Sequence, residues 1–159
     1  MAEITLLWHS QIPETTNWIS MSDVLTKEQR RFNMSQIRGK DTEPEEIVRK
    51  YLFSKGLRYR KNDKRYPGHP DIVLPKYHTV VFVHGCFWHR HPGCRYATVP
   101  ATNTEFWQKK FSRNVERDKE EQRKLTEMGW RVLIVWECEL KKDKREATLS
   151  KLYSAITED

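Results

Sequence analysis

A chain of 159 residues with 37% hydrophobic residues and six tryptophans carries enough apolar material for one core, and its length bounds it to one domain. Its 29 Lys+Arg against 22 Asp+Glu leave a formal net charge of +7, which favours a polyanionic partner, nucleic acid first, although solubility alone also accounts for an excess of this size. Three cysteines, no signal peptide and no apolar run of membrane-spanning length argue against a disulfide framework or a membrane protein; a reduced cytosolic compartment with thiolates free for metal fits better.

Residues 1–20 contain no Lys or Arg, and Trp8, Ile12, Pro13, Trp18 and Ile19 are scattered without helical or strand period. They read as a flexible N-terminal extension ahead of Met21. Residues 21–41 read as a basic arm, with a helix from Thr26 to Ile37 whose only apolar residues are Phe32, Met34 and Ile37. So few apolar positions suit a helix lying on a partner rather than in a core. The remaining residues, 42–159, read as the folded domain.

Thr42-Glu43-Pro44-Glu45 opens a helix: Thr42 as N-cap, Pro44 in the first turn, Glu45 closing a capping box. Ile47, Val48, Tyr51, Leu52 and Leu57 supply its apolar side, and Gly56 stops it. Arg58-Tyr59-Arg60 is expected as a short edge strand. Two β-branched runs follow, Asp71 to Leu74 and Val80 to Val83, with the composition of buried strands. Lys76 and Tyr77 between them imply a tight hairpin turn. A long helix is predicted from about Glu105 to Glu127 after a turn and cap at Ala101–Thr104, ended by Gly129. Trp130 to Trp136 is a further buried strand, and a helix near Ala147 to Ile156 closes the chain. The order α, β, β, β, α, β, α predicts an α/β domain with a mixed central sheet flanked by helices.

The polar residues are placed oddly for a core. Asp71 opens an apolar strand, where a carboxylate is costly unless a partner or metal compensates it. His84, Cys86, His89, His91 and Cys94 crowd the exit of the next strand. Cys86, His91, Cys94 and Cys138 supply the four N/S donors of a tetrahedral zinc site, against the reading of Cys138 as a small buried hydrophobe. Asp71, Glu45 through water, and the Val83 carbonyl offer the oxygens that a hard cation such as Mg²⁺ requires. Glu45 is equally well explained as a cap. His89 and His84 are candidates for general base and general acid, although either suits a satisfied loop histidine.

On the long helix, Trp107, Asn114 and Asp118 share a face with Phe111 and Val115. Asp118 has no basic helical neighbour there, so its expected counterpart is a histidine such as His84, the alternative being a solvated carboxylate. Phe87, Trp88 and Trp107 are either core packing or aromatic wedges that insert between bases.

Pro67-Gly68-His69-Pro70-Asp71, Val83 to His89, Pro100 to Trp107, Asn114 to Asp118 and Gly129 to Cys138 together resemble the very-short-patch repair (Vsr) endonucleases, over about Met34 to Leu140. The resemblance implies a restriction-endonuclease-like fold and nicking 5′ of the T in T:G mismatches that arise from 5-methylcytosine deamination. It implies Asp71 as the Mg²⁺ carboxylate with the Val83 backbone, His89 as base, His84 with Asp118 at the leaving group, and Glu45 as the family's helix glutamate. Phe87, Trp88 and Trp107 match its intercalating aromatics, and Cys86, His91, Cys94 and Cys138 its zinc ligands. It also implies a monomeric, cytoplasmic bacterial enzyme acting on double-stranded nucleoid DNA, with mismatch-repair proteins as candidate partners. The alternatives are a nuclease of the same fold with another target, and a zinc-stabilised DNA-binding module without catalysis.

Overall fold

The structure is a computed structural model, and it describes residues 26–36 and 39–158. The expected N-terminal extension, the start at Met21 and the end of the basic helix at Ile37 lie outside the described residues. The elements in order are α1 (Lys27–Gln36), α2 (Glu43–Ser54), β1 (Ile72–Leu74), a 3₁₀ turn (Pro75–Tyr77), β2 (Thr79–His84), α3 (Thr104–Glu127), β3 (Arg131–Trp136), a second 3₁₀ turn (Glu137–Leu140) and α4 (Arg145–Thr157). Helix α1 starts where Thr26 and Gln29 exchange hydrogen bonds between side chain and backbone, and its Phe32 is exposed.

The sheet order is β1-β2-β3, with β1 antiparallel and β3 parallel to β2. Both neighbours are explained by their connections: a three-residue turn folds β1 back on β2, whereas the parallel partner needs the long crossover that α3 supplies. Alternation along the strands then sorts the core. Ile72, Leu74, Val81, Val83, Leu133 and Val135 meet α2 and α4 on one face. Val73, Val80, Phe82 and Val132 meet Leu125 of α3, with Trp130, on the other. His84 shares the parity of Val80 and Phe82, so it projects on the α3 side.

Three local expectations change. Arg58-Tyr59-Arg60 is not a strand; Arg60 alone makes a bridge, exchanging two backbone hydrogen bonds with Val73. Two loop residues on its far side, Lys61 and Asn62 (the latter at φ +48°), turn the chain before a ladder can extend. The box at α2 is also not formed: the Thr42 hydroxyl donates to Glu45 rather than accepting a backbone N–H, and Glu45 accepts from the Asp41 N–H. Arg49 draws Glu45 inward, which is why the box fails. Asn103, in the left-handed region at φ +52°, precedes α3 without a side-chain cap.

The helix ends are as expected. Gly129 donates to the Thr126 carbonyl and Trp130 to that of Leu125, so α3 closes by wrapping Trp130 over Leu125, and Gly56 and Leu57 close α2 in the same pattern. No helix among the described residues is long and apolar enough to cross a membrane.

Gly68 is the glycine on which the site leans most. Its φ is +71°, and a Cβ there would lie 3.1 Å from the Phe82 ring and 2.8 Å from a Glu121 carboxylate oxygen. Glu121 is flexible and can swing away, but Phe82 is packed in the core. Gly68→Ala is therefore expected to lower the urea-unfolding free energy by about 1–2 kcal/mol from backbone conformation alone. Unchanged stability would show that this loop yields freely.

Candidate active site

The site begins where β1 stops pairing. Val73 spends both its backbone groups on Arg60, so Ile72 and Leu74 are the residues that face β2, opposite Val81 and Thr79. In an antiparallel pair the hydrogen-bonded positions alternate, and the next one would join residue 70 to Val83. Residue 70 is proline, without an N–H to give. The Asp71 carboxylate takes over part of the ladder instead: its Oδ2 accepts the Val83 N–H at 2.7 Å. The Val83 carbonyl consequently faces a proline on its β1 side, next to a carboxylate. These two oxygen sources could hold a hard cation. Burial pushes the Asp71 carboxyl up from 3.8 to about 6, the Val83 hydrogen bond resists this, and nearby Glu45 adds to it.

Next to Asp71, the exit of β2 brings His84 and His89 together as a stack, ring centroids 3.9 Å apart and planes 9° from parallel. His89 Nδ1 lies 2.5 Å from Asp118 Oδ2. The expected pairing of Asp118 with His84 is thus corrected: its direct partner is His89. The reason is geometric, because the turn after His84 folds His89 over it, the His89 N–H bonding to the Gly85 carbonyl, and this places His89 between the strand end and α3.

Burial, then the charge of His89, lowers His84 to about 4, so His84 is neutral at physiological pH. Burial raises Asp118, but the hydrogen bond and charge of His89 outweigh it and leave the carboxyl below its usual value. Ligand atoms of His84, His89 and Asp118 all lie within 4.8 Å of one another. Parallel stacked rings cannot both aim in-plane lone pairs at one ion, so the trio is an acid–imidazole pair with a second imidazole packed on it, not a metal cage.

Glu45 is 4% exposed and fully engaged: it accepts from the Thr42 hydroxyl, the Asp41 N–H and Arg49. Arg49 was not singled out from sequence, although its spacing four residues after Glu45 on a helix was the available signal. Both Glu45 and Asp71 line a cleft of about 790 Å³, with His84, His89, Asp118 and Trp88. Lys40, Lys64 and Arg117 also border it.

The aromatic residues form one cluster beside the cleft. Phe87 meets Trp88, Trp107 and Phe111 edge-on at 5.0, 5.6 and 5.1 Å. Asn114 donates to the Trp88 carbonyl at 3.2 Å. One face of α3 therefore reads along the loop in sequence, Trp107 and Phe111 to Phe87, Asn114 to Trp88, Asp118 to His89, as the helical spacing predicts. Phe87, Trp88 and Trp107 are each half-buried, and Lys110 lies over the Trp88 and Trp107 rings.

The second cluster follows from the parallel register. His84 pairs with Trp136, and two residues beyond each strand end stand Cys86 and Cys138. The His91 ring stacks on Trp136, centroids 4.1 Å apart at 5°, and its Nδ1 lies 3.6 Å from Cys86 Sγ and 3.2 Å from Cys138 Sγ. With Cys94, all four donor atoms fall within 4.8 Å of one another, and all three cysteines are free. Three thiols and an imidazole converging in this way fit zinc, and Cys138 is not merely a small core residue.

Comparisons with known proteins give the family. The family described as DNA mismatch endonuclease Vsr matches residues 22–96. Type II nicking enzyme V.NmeAIP of Neisseria meningitidis serogroup A is 54% identical over 121 residues, 76% of this chain and 86% of that protein. Type II nicking enzyme V.XorIIP of Xanthomonas oryzae is 48% identical over 120 residues, 76% and 88% of the two chains. DNA mismatch endonuclease Vsr of Escherichia coli is 49% identical over 121 residues, 76% and 77%.

The raised Asp71 carboxyl has a consequence for stability. A carboxyl that titrates at about 6 when folded and 3.8 when free costs the fold nothing below pH 3.8. The cost grows as pH rises between those values and is complete above the folded one, reaching about 3 kcal/mol. Asp71→Asn keeps an acceptor for the Val83 N–H and removes the charge. With chelator present, this variant should melt higher than the parent at pH 8, and the difference should disappear near pH 4 in calorimetric scans. Equal melting temperatures at both pH values would refute the buried charge.

Proposed function

The chain belongs to the Vsr family of DNA mismatch endonucleases, hydrolases that nick one strand, and we propose that its target is the T:G mismatch left by 5-methylcytosine deamination, cut 5′ of the T with Mg²⁺. The observation that carries the reading is adjacency: Trp88, of the aromatic cluster, lines the same cleft as Asp71 and His89. A wobble pair stacks less well than a Watson–Crick pair, so wedging Phe87, Trp88 and Trp107 beside it costs less than elsewhere, which is selective before any base edge is read. The mixed sheet with helices on both faces supports a restriction-endonuclease-like core.

Asp71 and the Val83 carbonyl would hold Mg²⁺, with Glu45 reaching it through water. When bound, the ion supplies charge stabilisation to the phosphate and a more acidic water. The protein's own part is proton handling. His89, donating its Nδ1–H to Asp118, keeps Nε2 as the base for the attacking water. His84, neutral at working pH, is a hydrogen-bond partner to the phosphate or its leaving oxygen rather than a source of a full proton. Zinc on Cys86, His91, Cys94 and Cys138 would clamp the β2 exit loop to the end of β3. In this reading the enzyme is a monomer of the bacterial cytoplasm, residues 21–41 lie on the duplex, and mismatch-repair proteins are candidate partners.

The test uses end-labelled duplexes differing only in T:G, C:G or T:A at one position, in several flanking contexts. The T:G duplex should be nicked on one strand, leaving 5′-phosphate and 3′-hydroxyl. Asp71→Asn should abolish nicking while retaining DNA binding, because affinity comes mainly from cations on phosphates. Trp88→Ala should reduce the T:G preference roughly 10-fold or more, in keeping with about 1–3 kcal/mol of base–aromatic stacking. Equal cutting of all three duplexes, or a double-strand break in the C:G one, would favour a nuclease with a different target. DNA binding without cutting would favour a binding module.

The zinc assignment has its own check. Elemental analysis should find one zinc per chain, and Cys138→Ser should lose it together with a large drop in melting temperature, since metal-site free energy is folding free energy. Zinc-free protein that is indifferent to the substitution would end that assignment.

A further inference from the structure

Arg49 stands behind the cleft rather than in it, and no role above is given to it. It is 2% exposed, the least exposed charged residue among those described. Its Nη1 donates to Asp41 at 2.7 Å, and its Nη2 to Glu45 at 2.9 Å, to Asn62 at 3.3 Å and to the Asp71 carbonyl at 3.2 Å. Three of these partners, Glu45, Asn62 and Asp71, line the cleft. One guanidinium therefore joins α2 to two loops and to the head of β1, segments 8, 13 and 22 residues away in sequence. Asp41 and Asn62 both hold positive φ, at 52° and 48°, a conformation that costs non-glycine residues energy unless contacts enforce it.

A planar fork with several fixed donors suits this task, and a lysine could satisfy only part of it. The Asp71 peptide is held from both sides, its carbonyl by Arg49 and its carboxylate by the Val83 N–H. The same guanidinium compensates Glu45, so two carboxylates facing one cleft are not both left without a partner. The arrangement has a cost: Arg49 Nε finds no partner, and a buried hub of this kind is weak evidence for stability, since apolar replacements are often as stable. Positioning is the better account of it.

We propose that Arg49 is the positioning residue of the metal seat: it fixes the main chain of Asp71 and neutralises Glu45, so that of these two carboxylates only Asp71 meets the cation directly while Glu45 reaches it at most through water. The inference rests on the reading of Asp71 as a Mg²⁺ ligand. Supporting groups of this kind typically govern metal affinity by roughly 10- to 100-fold.

The experiment titrates Mg²⁺ alone into the full-length protein without DNA, by calorimetry, for the parent, Arg49→Lys and Asp71→Asn. It then compares half-saturating Mg²⁺ and the Mg²⁺-saturated rate in the nicking assay. Arg49→Lys should weaken Mg²⁺ binding roughly 10-fold or more, with a smaller fall in the saturated rate and unchanged DNA affinity in chelator. Should Arg49→Lys fail to fold, Arg49→Met combined with Glu45→Gln is compared with Glu45→Gln alone, and the double variant should bind Mg²⁺ more weakly than the single one. Mg²⁺ binding at parental strength in a folded variant, with Asp71→Asn abolishing it, overturns the role of Arg49 alone. Parental binding no stronger than that of Asp71→Asn overturns the metal seat and this inference with it. Parallel loss of Mg²⁺ and DNA binding in both variants would make Arg49 a merely structural residue.

Discussion

The hydrogen bond from the Val83 N–H to Asp71 Oδ2, at 2.7 Å, is the contact on which the cleft depends. A two-stranded ladder left to continue would zip past Ile72 and Val81 and close the sheet edge. Pro70 cannot donate to that ladder, and the Val83 N–H goes to the Asp71 carboxylate rather than to the Pro70 carbonyl, so neither rung of that pair forms. The strands therefore diverge where a carboxylate and a main-chain oxygen stand together. The same event explains why an acid tolerates this position at all: one strong acceptor site is filled by a backbone donor, and the remainder faces the cleft. The residual desolvation appears as the raised Asp71 carboxyl. Under the proposed Mg²⁺ reading, this carboxylate would stay short of charge compensation until a cation arrives.

The two His/Cys clusters are not independent of each other. Trp136 stacks on His91 and meets His84 edge-on at 5.3 Å, and His84 stacks on His89. A continuous pile of rings runs from the thiols to the Asp118–His89 pair. The register of β2 with β3 creates this pile, since His84 and Trp136 are directly paired and everything else follows from what comes after each strand. The ring pile thus links the β2 exit loop and the end of β3 to the Asp118–His89 pair, so that supporting groups bear on the rotamers of the candidate acid–imidazole pair as well as on the path of the chain.

Much of this was legible in the chain. Apolar runs with β-branched residues mark β1, β2 and β3, and the spacing of seven and then four residues on α3 puts Trp107, Asn114 and Asp118 on one face, the loop side. The four zinc candidates could be grouped by donor chemistry. What could not be read was partner choice within reach. The sequence leaves His84 in reach of Asp118, but five residues of loop decide which imidazole lies nearer, and loop geometry leaves no period in sequence. The capping box at Thr42 failed for a related reason. The box pattern offers Glu45 to its own helix end, and Arg49, one turn further along the same helix, holds it inward instead. Arg60, flanked by β-like neighbours, lost its strand to a turn that only Asn62 signalled.

The charge layout argues for how such a site admits its substrate. Lys40, Lys64 and Arg117 border the cleft, whereas Asp71, Asp118, Glu121 and Glu137 are among the groups within it. These acids are matched loosely except for Asp118, which meets His89 at 2.5 Å and Arg117 at 3.5 Å; Glu121 lies 3.9 Å from Arg117 and Glu137 4.0 Å from Lys141. A duplex backbone is therefore attracted to the rim over distances of about a Debye length, roughly 8 Å at physiological salt, and repelled by the floor at contact. Under that arrangement attraction at the rim and acceptance of a phosphate at the floor are separate events, and under the proposed Mg²⁺ requirement only the second would depend on the cation. Under the proposed T:G reading, contacts with intact DNA would stay at the rim, and a pair that unstacks easily would let Trp88 and its neighbours in far enough to bring the phosphate down to Asp71.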